Sequence, residues 1–284
     1  MNSLNVGSIQ NHRERETGSI IYPVISRRSR GLSVGINLYP DSKLCSFNCA
    51  YCEVFPFKTE NTFTLKTMQQ ELRTVLRRAA REGIPIKDLC ISGNGEPTLS
   101  PSLPVALMAA QRAIDAYALD AQVVLITNGT GLLFQGTFNL LANAANEGLA
   151  IWIKLDAGSP EWYERINRSH IPFDIRIDAI RRFLSVAPAT IQTMLCKIEG
   201  APPPPEEANA WVRLVADLAA ANKTKKTKTG MQMVQLYGKA RPAQEDPLAE
   251  QLPDAYLTER AKALQTALAG KGLSRKAVPI EVFP

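Results

Sequence analysis

The strongest constraint on the fold is the alternation of short apolar runs with amphipathic stretches along the chain. Six runs have the length and composition of buried strands, at residues 33–38, 88–92, 122–127, 150–155, 190–196 and 231–237. Helical periodicity is found between or after these runs, at 66–81, 102–118, 136–147, 173–186, 205–221 and 257–269. Because the strands are apolar on both faces, this order predicts an α/β fold with a parallel sheet under helices, either a partial (β/α)6 barrel or an open doubly wound sheet.

Composition limits the class of protein. The 284 residues are 45% hydrophobic and 21% charged, which is typical of a globular protein with a full core. No apolar stretch approaches the ~20 residues that span a bilayer, so we expect no membrane association. The first residues carry no apolar segment after a basic start, which favours a cytoplasmic protein with reduced cysteines. Residues 1–20 are predicted to form a polar arm, and residues 21–284 a single domain with a C-terminal helix and tail.

Three of the five cysteines fall within eight residues, in the loop after the first predicted strand. Cys45, Cys49 and Cys52 have C-x3-C-x2-C spacing, so a short loop can direct three thiolates to one inorganic centre. Soft thiolates select iron–sulfur clusters or zinc. Structural zinc needs a fourth ligand, and neither Cys90 nor Cys196 is paired at zinc-site spacing. The favoured interpretation is an iron–sulfur cluster with one open iron. There are two alternatives. One is a structural zinc loop completed by a histidine, and the other is that the three cysteines are unrelated core residues.

Polar residues also follow the second and third predicted strands, at the carboxyl ends where α/β folds carry their sites. Gly93 and Gly95 allow a ligand to approach the backbone closely, and Glu96 adds a carboxylate to the same turn. Asn128 follows the third strand, either as a simple turn residue or as a polar contact to a ligand.

Lys154 and Asp156 end the fourth predicted strand and lie two residues apart, hence on one face. Charged side chains among the apolar residues of this strand indicate a polar cavity, with a structural salt bridge as the alternative. Glu161, Tyr163 and Arg165 are expected on the surface of the helix that follows.

The last two predicted strands contain polar residues, and the sequence pattern does not show which face of each strand points toward the site. The fifth strand places Gln192 on one face and Thr193 on the other. The sixth strand and the loop after it carry Gln235, Lys239 and Arg241, which could meet a polar or anionic substrate or be solvated.

The three-cysteine loop after the first strand resembles the signature of the radical S-adenosylmethionine (SAM) superfamily, and the resemblance covers most of the chain. It implies a partial (β/α)6 TIM-like barrel in which one 4Fe-4S cluster, bound through its open iron to SAM, cleaves SAM reductively to a 5'-deoxyadenosyl radical that abstracts hydrogen from a substrate. The turn at 93–96 resembles the GGE motif of the superfamily, with Asn94 in place of the middle glycine. The cluster ligands implied are Cys45, Cys49 and Cys52, and the SAM contacts implied are Tyr51, Gly93, Asn94, Gly95, Glu96, Asn128, Lys154 and Asp156. Within that set, Lys154 would meet the SAM carboxylate and Asp156 the ribose hydroxyls.

Several stretches together look like a group of stand-alone Fe-S oxidoreductases related to the radical SAM enzymes of tRNA wybutosine biosynthesis. Those enzymes hold a second cluster on cysteines upstream of the SAM loop, whereas here no cysteine precedes Cys45. We therefore expect a single cluster, reduced by a flavodoxin or ferredoxin.

The formal charge of +6 and the resemblance favour a nucleoside or RNA substrate over a small metabolite or a peptide, and Gln192, Gln235 and Arg241 are the candidate substrate contacts. The densest basic run, at 222–230, lies between the fifth helix and the sixth strand and is expected to be a solvated loop far from the cluster. The rival from another class is a zinc-loop protein that binds nucleic acid without catalysis.

Overall fold

A computed structural model of the chain describes residues 4–7, 18–221, 229–241, 243 and 249–284. The chain divides into two compact units, which interleave in sequence. Unit 1 comprises Met1–Cys45 and Pro56–Thr127, and unit 2 comprises Ser46–Phe55 and Asn128–Pro284. The basic side chains of the run at 222–230 lie outside the described residues.

The described residues of unit 1 form four strands and two helices. The strands are β1 (Ile21–Ser26), β2 (Gly31–Ile36), β3 (Ile86–Ile91) and β4 (Gln122–Thr127), and the helices are α1 (Leu65–Arg81) and α2 (Leu103–Tyr117). A short 3-10 helix, Pro97–Leu99, follows β3. Strands β2, β3 and β4 pair in parallel, as the alternation predicts.

Strand β1 is a correction to the sequence prediction, because it pairs antiparallel to β2. The alternation of strands and helices therefore does not extend to the start of the sheet. Of the predicted polar arm, the described segment 4–7 contacts this strand: Gly7 accepts a hydrogen bond from Ile25 N and donates one to Pro23 O. Leu4 is buried.

Unit 2 contains five strands and five helices among its described residues. Its strands are β5 (Ala150–Lys154), β6 (Pro188–Lys197), β7 (Gly230–Gly238), β8 (Glu250–Gln251) and β9 (Ile280–Phe283). Its helices are α3 (Gln135–Asn146), α4 (Pro160–Ile166), α5 (Phe173–Leu184), α6 (Pro205–Ala220) and α7 (Asp254–Gly270), with a 3-10 turn at Thr130–Leu133. Strands β5, β6, β7 and β9 are consecutive and parallel, and β8 pairs antiparallel with β6.

The register of the unit 2 sheet aligns polar residues from four strands in one row. Lys154 pairs with Gln192, Gln192 with Gln235, and Gln235 with Glu281. Neighbouring positions such as Ile153, Ile191 and Val234 are fully buried apolar residues on the opposite face. One face of this sheet is thus apolar and the other carries hydrogen-bonding groups.

No helix among the described residues has the length and apolar composition needed to cross a membrane.

Candidate active site

All five cysteines are described, and none of them is in a disulfide. Cys45 is exposed, and Cys49 and Cys52 are half-buried, whereas Cys90 and Cys196 are buried within strands. Cys52 N donates to Cys49 O at 2.9 Å, so these two residues lie on one tight turn. Over the described ranges, no group of three or more His, Cys, Asp or Glu side chains stands close enough to hold a metal ion.

In unit 1, the turn at residues 93–96 is fastened to the segment that leads to Cys45. Glu96 N donates to Leu44 O at 2.8 Å, and Leu44 forms a parallel bridge with Gly95. A Cβ atom at position 95 would lie 2.0 Å from Leu44 O, so only glycine allows this approach. The predicted Gly-Glu turn is therefore locked to the residue immediately before Cys45.

The Asn37 side chain hydrogen-bonds both to this turn and to the segments around it. The sequence did not identify this role. Its Oδ1 accepts from Asn94 N and Tyr39 N, both at 3.1 Å, and its Nδ2 donates to Ser19 O at 3.1 Å. Gly93 has φ of +127°, and a Cβ there would come within 3.0 Å of the Asn37 side chain. Asn37 lies near the carboxyl end of the first predicted strand, and a polar side chain at that strand end is the signal that could have identified it.

Glu96 is buried, with 2% of its surface exposed. Its Oε1 accepts hydrogen bonds from Thr98 N at 3.1 Å, Thr98 Oγ1 at 2.6 Å and Thr127 Oγ1 at 2.6 Å. Burial raises the pKa of the nearby Tyr39 phenol, and the Glu96 carboxylate raises it further. These contacts hold the carboxylate in one orientation.

In unit 2, Lys154 and Asp156 form a buried ion pair, with Nζ to Oδ1 at 2.9 Å. The Asp156 carboxylate also accepts from Tyr51 OH at 2.5 Å, Asn167 Nδ2 at 3.0 Å and Met194 N at 2.8 Å. Burial alone would raise the pKa of Asp156, but the Lys154 cation and the hydrogen bonds from Tyr51 and Met194 outweigh it and lower the pKa. The four donors equal in number the lone-pair sites of a carboxylate.

Two tyrosine rings enclose the Lys154 ammonium group. Its Nζ donates to Tyr237 OH and lies 4.5 Å from the Tyr237 ring centroid and 5.0 Å from that of Tyr51. Burial lowers the pKa of Lys154, but Asp156 and Tyr237 outweigh it and raise the pKa. Burial also raises the pKa of Tyr51, as does the neighbouring Asp156. Tyr237 was missed, although its spacing of two from Gln235 places both on one face of β7.

The remaining candidate residues of unit 2 lie in separate contacts. Gln192 and Gln235 are buried, and Gln192 Nε2 donates to Gln235 Oε1 at 2.8 Å. Asn128 Nδ2 donates to Ser46 Oγ at 2.9 Å. Arg241 Nε lies 2.5 Å from Glu53 Oε2, so this arginine is ion-paired with the residue directly after Cys52.

Tyr163 corrects the expectation of a surface position, since only 2% of it is exposed. Its ring packs edge-on against Phe47 of the cysteine loop, with centroids 5.5 Å apart.

Arg176 is also buried. Its Nε donates to Asn128 O at 2.7 Å, and its guanidinium carbon lies 5.2 Å from the Phe47 ring centroid. Burial lowers the Arg176 pKa, and its Nη1 has no hydrogen-bond partner among the described atoms. An arginine on a helix usually faces solvent, so no pattern in the sequence singled it out.

Comparisons with known proteins identify relatives of the chain in sequence and in fold. The chain is 28% identical over 193 residues to a UPF0026 protein of Helicobacter pylori, a match that covers 66% of this chain and 58% of the relative. Among solved structures it is similar to Streptococcus suis SuiB bound to the precursor peptide SuiA, with a TM-score of 0.60 and 15% identity over 91% of this chain and 51% of SuiB. It is also similar to TYW1 with a lysine-pyruvate adduct bound, with a TM-score of 0.51 and 17% identity over 82% of this chain and 73% of TYW1.

The chain thus spans a little over half the length of the UPF0026 relative and about half that of SuiB. The structural likeness confirms the predicted fold class, the α/β fold of the radical SAM enzymes. The family model of the radical SAM superfamily matches residues 39–199, more than half of the chain, and includes the three-cysteine loop, the turn at 93–96 and the Lys154–Asp156 pair. The chain belongs to the radical SAM superfamily.

Proposed function

We propose that this protein is an enzyme that cleaves SAM reductively at a single 4Fe-4S cluster and uses the resulting radical to abstract hydrogen from a substrate. The observation that carries the proposal is the C-x3-C-x2-C loop at Cys45, Cys49 and Cys52, inside the region that matches the family. A cluster held by Cys45, Cys49 and Cys52 would, once reduced, supply the electron for cleavage of SAM to methionine and a 5'-deoxyadenosyl radical. The protein's own side chains would bind the cluster and SAM and orient them.

The chemistry of the donor set fits an iron–sulfur cluster. The three loop cysteines are thiols and retain exposed surface, as ligands of an added group require, whereas Cys90 and Cys196 are buried. A buried guanidinium, Arg176, interacts electrostatically with Cys49. A buried positive charge suits an anionic set of thiolates. Zinc remains the alternative occupant of the loop, and family membership favours iron and sulfide.

The proposed role of the turn at 93–96 is to bind the amino acid end of SAM. Glu96 is held by Thr98 and Thr127, so its carboxylate is oriented before any ligand arrives. An oriented carboxylate recognises an ammonium group without paying the entropy of ordering its own side chain. The close approach of Gly95 to Leu44 fixes this turn beside Cys45.

Lys154 and Asp156 have different capacities for a ligand. Asp156 already accepts four donors, so a ribose hydroxyl would have to displace one of them. Lys154 has three N–H donors and contacts two acceptors, Asp156 and Tyr237. We therefore propose that Lys154 binds the carboxylate of SAM and that Asp156 orients the side chains of Lys154 and Tyr51.

Metal analysis tests the cluster. Anaerobic reconstitution should yield about four iron and four sulfide per chain. Replacement of the three loop cysteines by alanine should abolish binding of both, and Cys90→Ala, the matched control at a buried cysteine, should retain them. Stoichiometric zinc without sulfide would refute the proposal and support a zinc-loop nucleic-acid-binding protein.

SAM affinity tests the strand-end residues. Glu96→Gln and Lys154→Gln should weaken SAM binding, measured by equilibrium dialysis, while the iron content stays unchanged. Glu207→Gln is the matched control: Glu207 is likewise a buried carboxylate, but it accepts hydrogen bonds from Gly158 N and Ser159 Oγ. Unchanged affinity in both variants would return Glu96 and Lys154 to structural roles.

Product analysis tests the reaction itself. The cluster-loaded protein, reduced by dithionite or by a flavodoxin or ferredoxin, should release 5'-deoxyadenosine and methionine in equal amounts. Flavodoxin-driven turnover would support the proposed electron donor. Absence of 5'-deoxyadenosine with every donor would rule out the radical function.

For the substrate we propose a nucleoside or RNA, on the net charge of +6 and on the resemblance to wybutosine-synthesis enzymes. SuiB, whose structure holds a precursor peptide, gives the peptide alternative. Co-purifying RNA whose binding falls steeply with salt would support the proposal. Transfer of deuterium into 5'-deoxyadenosine from a labelled peptide or small metabolite, and not from a labelled nucleoside, would overturn it.

A further inference from the structure

Asn167 connects the cysteine loop to the buried ion pair of unit 2. It follows helix α4 and is 1% exposed. Its Nδ2 lies 3.5 Å from Cys49 Sγ and 3.0 Å from Asp156 Oδ2. One amide group therefore contacts both a predicted cluster ligand and the carboxylate that holds Lys154.

The chemistry of these neighbours fixes the orientation of the amide. The two hydrogens of Nδ2 can be shared between a sulfur and a carboxylate oxygen, both of which are acceptors. A flipped amide would place its oxygen against the Asp156 carboxylate and the sulfur, which is repulsive. The observed orientation leaves Asn167 Oδ1 buried without a hydrogen-bond partner in the described part of the chain. The site thus accepts an unsatisfied carbonyl in order to present N–H donors to Cys49 and Asp156.

Backbone hydrogen bonds hold this contact on both sides of Cys49. Asn48 N donates to Asn167 O at 3.0 Å, and Ala50 N donates to Ile166 O at 2.9 Å. The segment 48–50 therefore runs alongside the end of α4, with the Cys49 side chain directed to the Asn167 amide. The N–H···S contact is thus fixed by the backbone as well as by the two side chains.

We propose that Asn167 is a positioning residue for Cys49, which donates an N–H···S hydrogen bond to the thiolate and raises the reduction potential of the bound cluster. The inference rests on the proposed function, since it requires that Cys49 be a cluster ligand. Reduction adds negative charge to the cluster and its sulfurs, so a donor at the sulfur stabilises the reduced form more than the oxidised form. The bond from the same amide to Asp156 keeps Cys49 in register with Lys154 and Tyr51.

The test is the midpoint potential of the cluster, measured by an EPR-monitored redox titration of the reconstituted protein. Asn167→Asp keeps the shape of the side chain but removes the N–H donor, and Asn167→Ser removes it without adding charge. Both variants should shift the midpoint to more negative values, and the aspartate should shift it further. Ser169→Ala is the matched control, because Ser169 Oγ contacts the same loop at Ser46 O, 3.3 Å away, and makes no contact with sulfur. It should leave the potential unchanged.

A second measurement on the unsubstituted protein covers the case in which neither variant folds. Protein labelled with ¹⁵N in the asparagine side chains should show a nitrogen hyperfine coupling to the reduced cluster in pulsed EPR. A cluster with no such coupling, or Asn167 variants with the potential of Ser169→Ala, would overturn the inference. Failure of the unsubstituted protein to assemble any cluster would instead refute the proposed function, so the two failures are distinguishable.

Discussion

Glu96 in unit 1 and Asp156 in unit 2 are both buried carboxylates at strand ends, each 2% exposed, but they are held by different kinds of contact. Glu96 accepts hydrogen bonds from the hydroxyls of Thr98 and Thr127 and from Thr98 N. Asp156 is paired with the buried cation of Lys154 and accepts three more hydrogen bonds. Glu96 therefore depends on uncharged donors and on a close backbone approach, whereas Asp156 depends on a cation for the largest of its contacts.

Lys154→Met should produce the largest loss of stability. It leaves a buried carboxylate without its cation, which typically costs about 3–5 kcal/mol of unfolding free energy. Urea denaturation of the protein without cluster measures the loss. The double variant Lys154→Met/Asp156→Asn removes the stranded charge and should recover part of it. A loss below about 1 kcal/mol in the single variant would show that Tyr51, Asn167 and Met194 hold Asp156 without the cation.

The stability gap between the natural protein and Lys154→Met should depend on pH. The pKa of Asp156 is lowered in the folded state, so its contribution is fully present above the unfolded carboxyl pKa and is lost as pH falls through the folded one. The gap should therefore be largest at neutral pH and begin to shrink above pH 4, because without Lys154 the burial of Asp156 raises its pKa in the variant. It should shrink further below about pH 4, where the natural protein loses its own contribution. A gap that persists unchanged at the acid end would mean that Lys154 stabilises the fold by packing alone.

Gly95→Ala should give the next largest effect, because it tests the close approach on which the Glu96 turn depends. The added Cβ would lie 2.0 Å from Leu44 O, and the backbone has to move apart at a cost of about 1–3 kcal/mol. Gly136→Ala is the control, since nothing lies within 4 Å of its Cβ and it sits in helix α3. That substitution should be neutral or stabilising by roughly 0.5–1 kcal/mol. Equal stabilities of the two variants would contradict the backbone lock.

Thr127→Val should have a smaller effect, since it removes one of several donors to Glu96. A hydrogen bond to a charged group contributes about 1.5–3 kcal/mol, and the two contacts from Thr98 remain to offset part of the loss. We expect a decrease of about 1 kcal/mol in unfolding free energy, together with weaker SAM binding as Glu96 gains freedom. A loss as large as that of Lys154→Met would abolish the contrast between the two carboxylates.

The strands and helices whose apolar residues recur at a regular spacing could be predicted from the sequence. All six predicted strands occur, because each is rich in apolar residues and largely buried. Strand β1 was missed because Ile21–Ser26 contains Pro23 and lies next to a polar segment, and its antiparallel pairing with β2 depends on the hairpin between them. Strand β9 was missed because it is four residues long and takes its place only by pairing with β7.

The candidate site was predictable only where its residues form a local motif. The cysteine spacing and the glycine turn lie within a few residues of one another, so the sequence alone indicates them. Asn167 and Arg176 act through contacts 118 and 48 residues away, with Cys49 and Asn128, and nothing in their own neighbourhoods distinguishes them from surface residues. Arg241 is ion-paired with Glu53, which places it at the cysteine loop, and its role toward substrate stays a prediction.

Chemical labelling of cysteines should perturb the protein least. It compares buried and accessible thiols in the two units, as the preceding variants compare the two carboxylates. Each unit holds a buried cysteine and at least one accessible one: Cys90 and Cys45 in unit 1, and Cys196 with Cys49 and Cys52 in unit 2. Burial raises the pKa of Cys90 to about 12, so at pH 8 only about one molecule in 10⁴ carries its reactive thiolate. In the cluster-free protein, iodoacetamide should modify Cys45 first, then Cys49 and Cys52, and leave Cys90 and Cys196 unmodified, as read by peptide mass spectrometry. All five should react in guanidinium chloride, and cluster loading should protect the three loop cysteines; modification of Cys90 at the rate of Cys45 would show that β3 opens readily in unit 1.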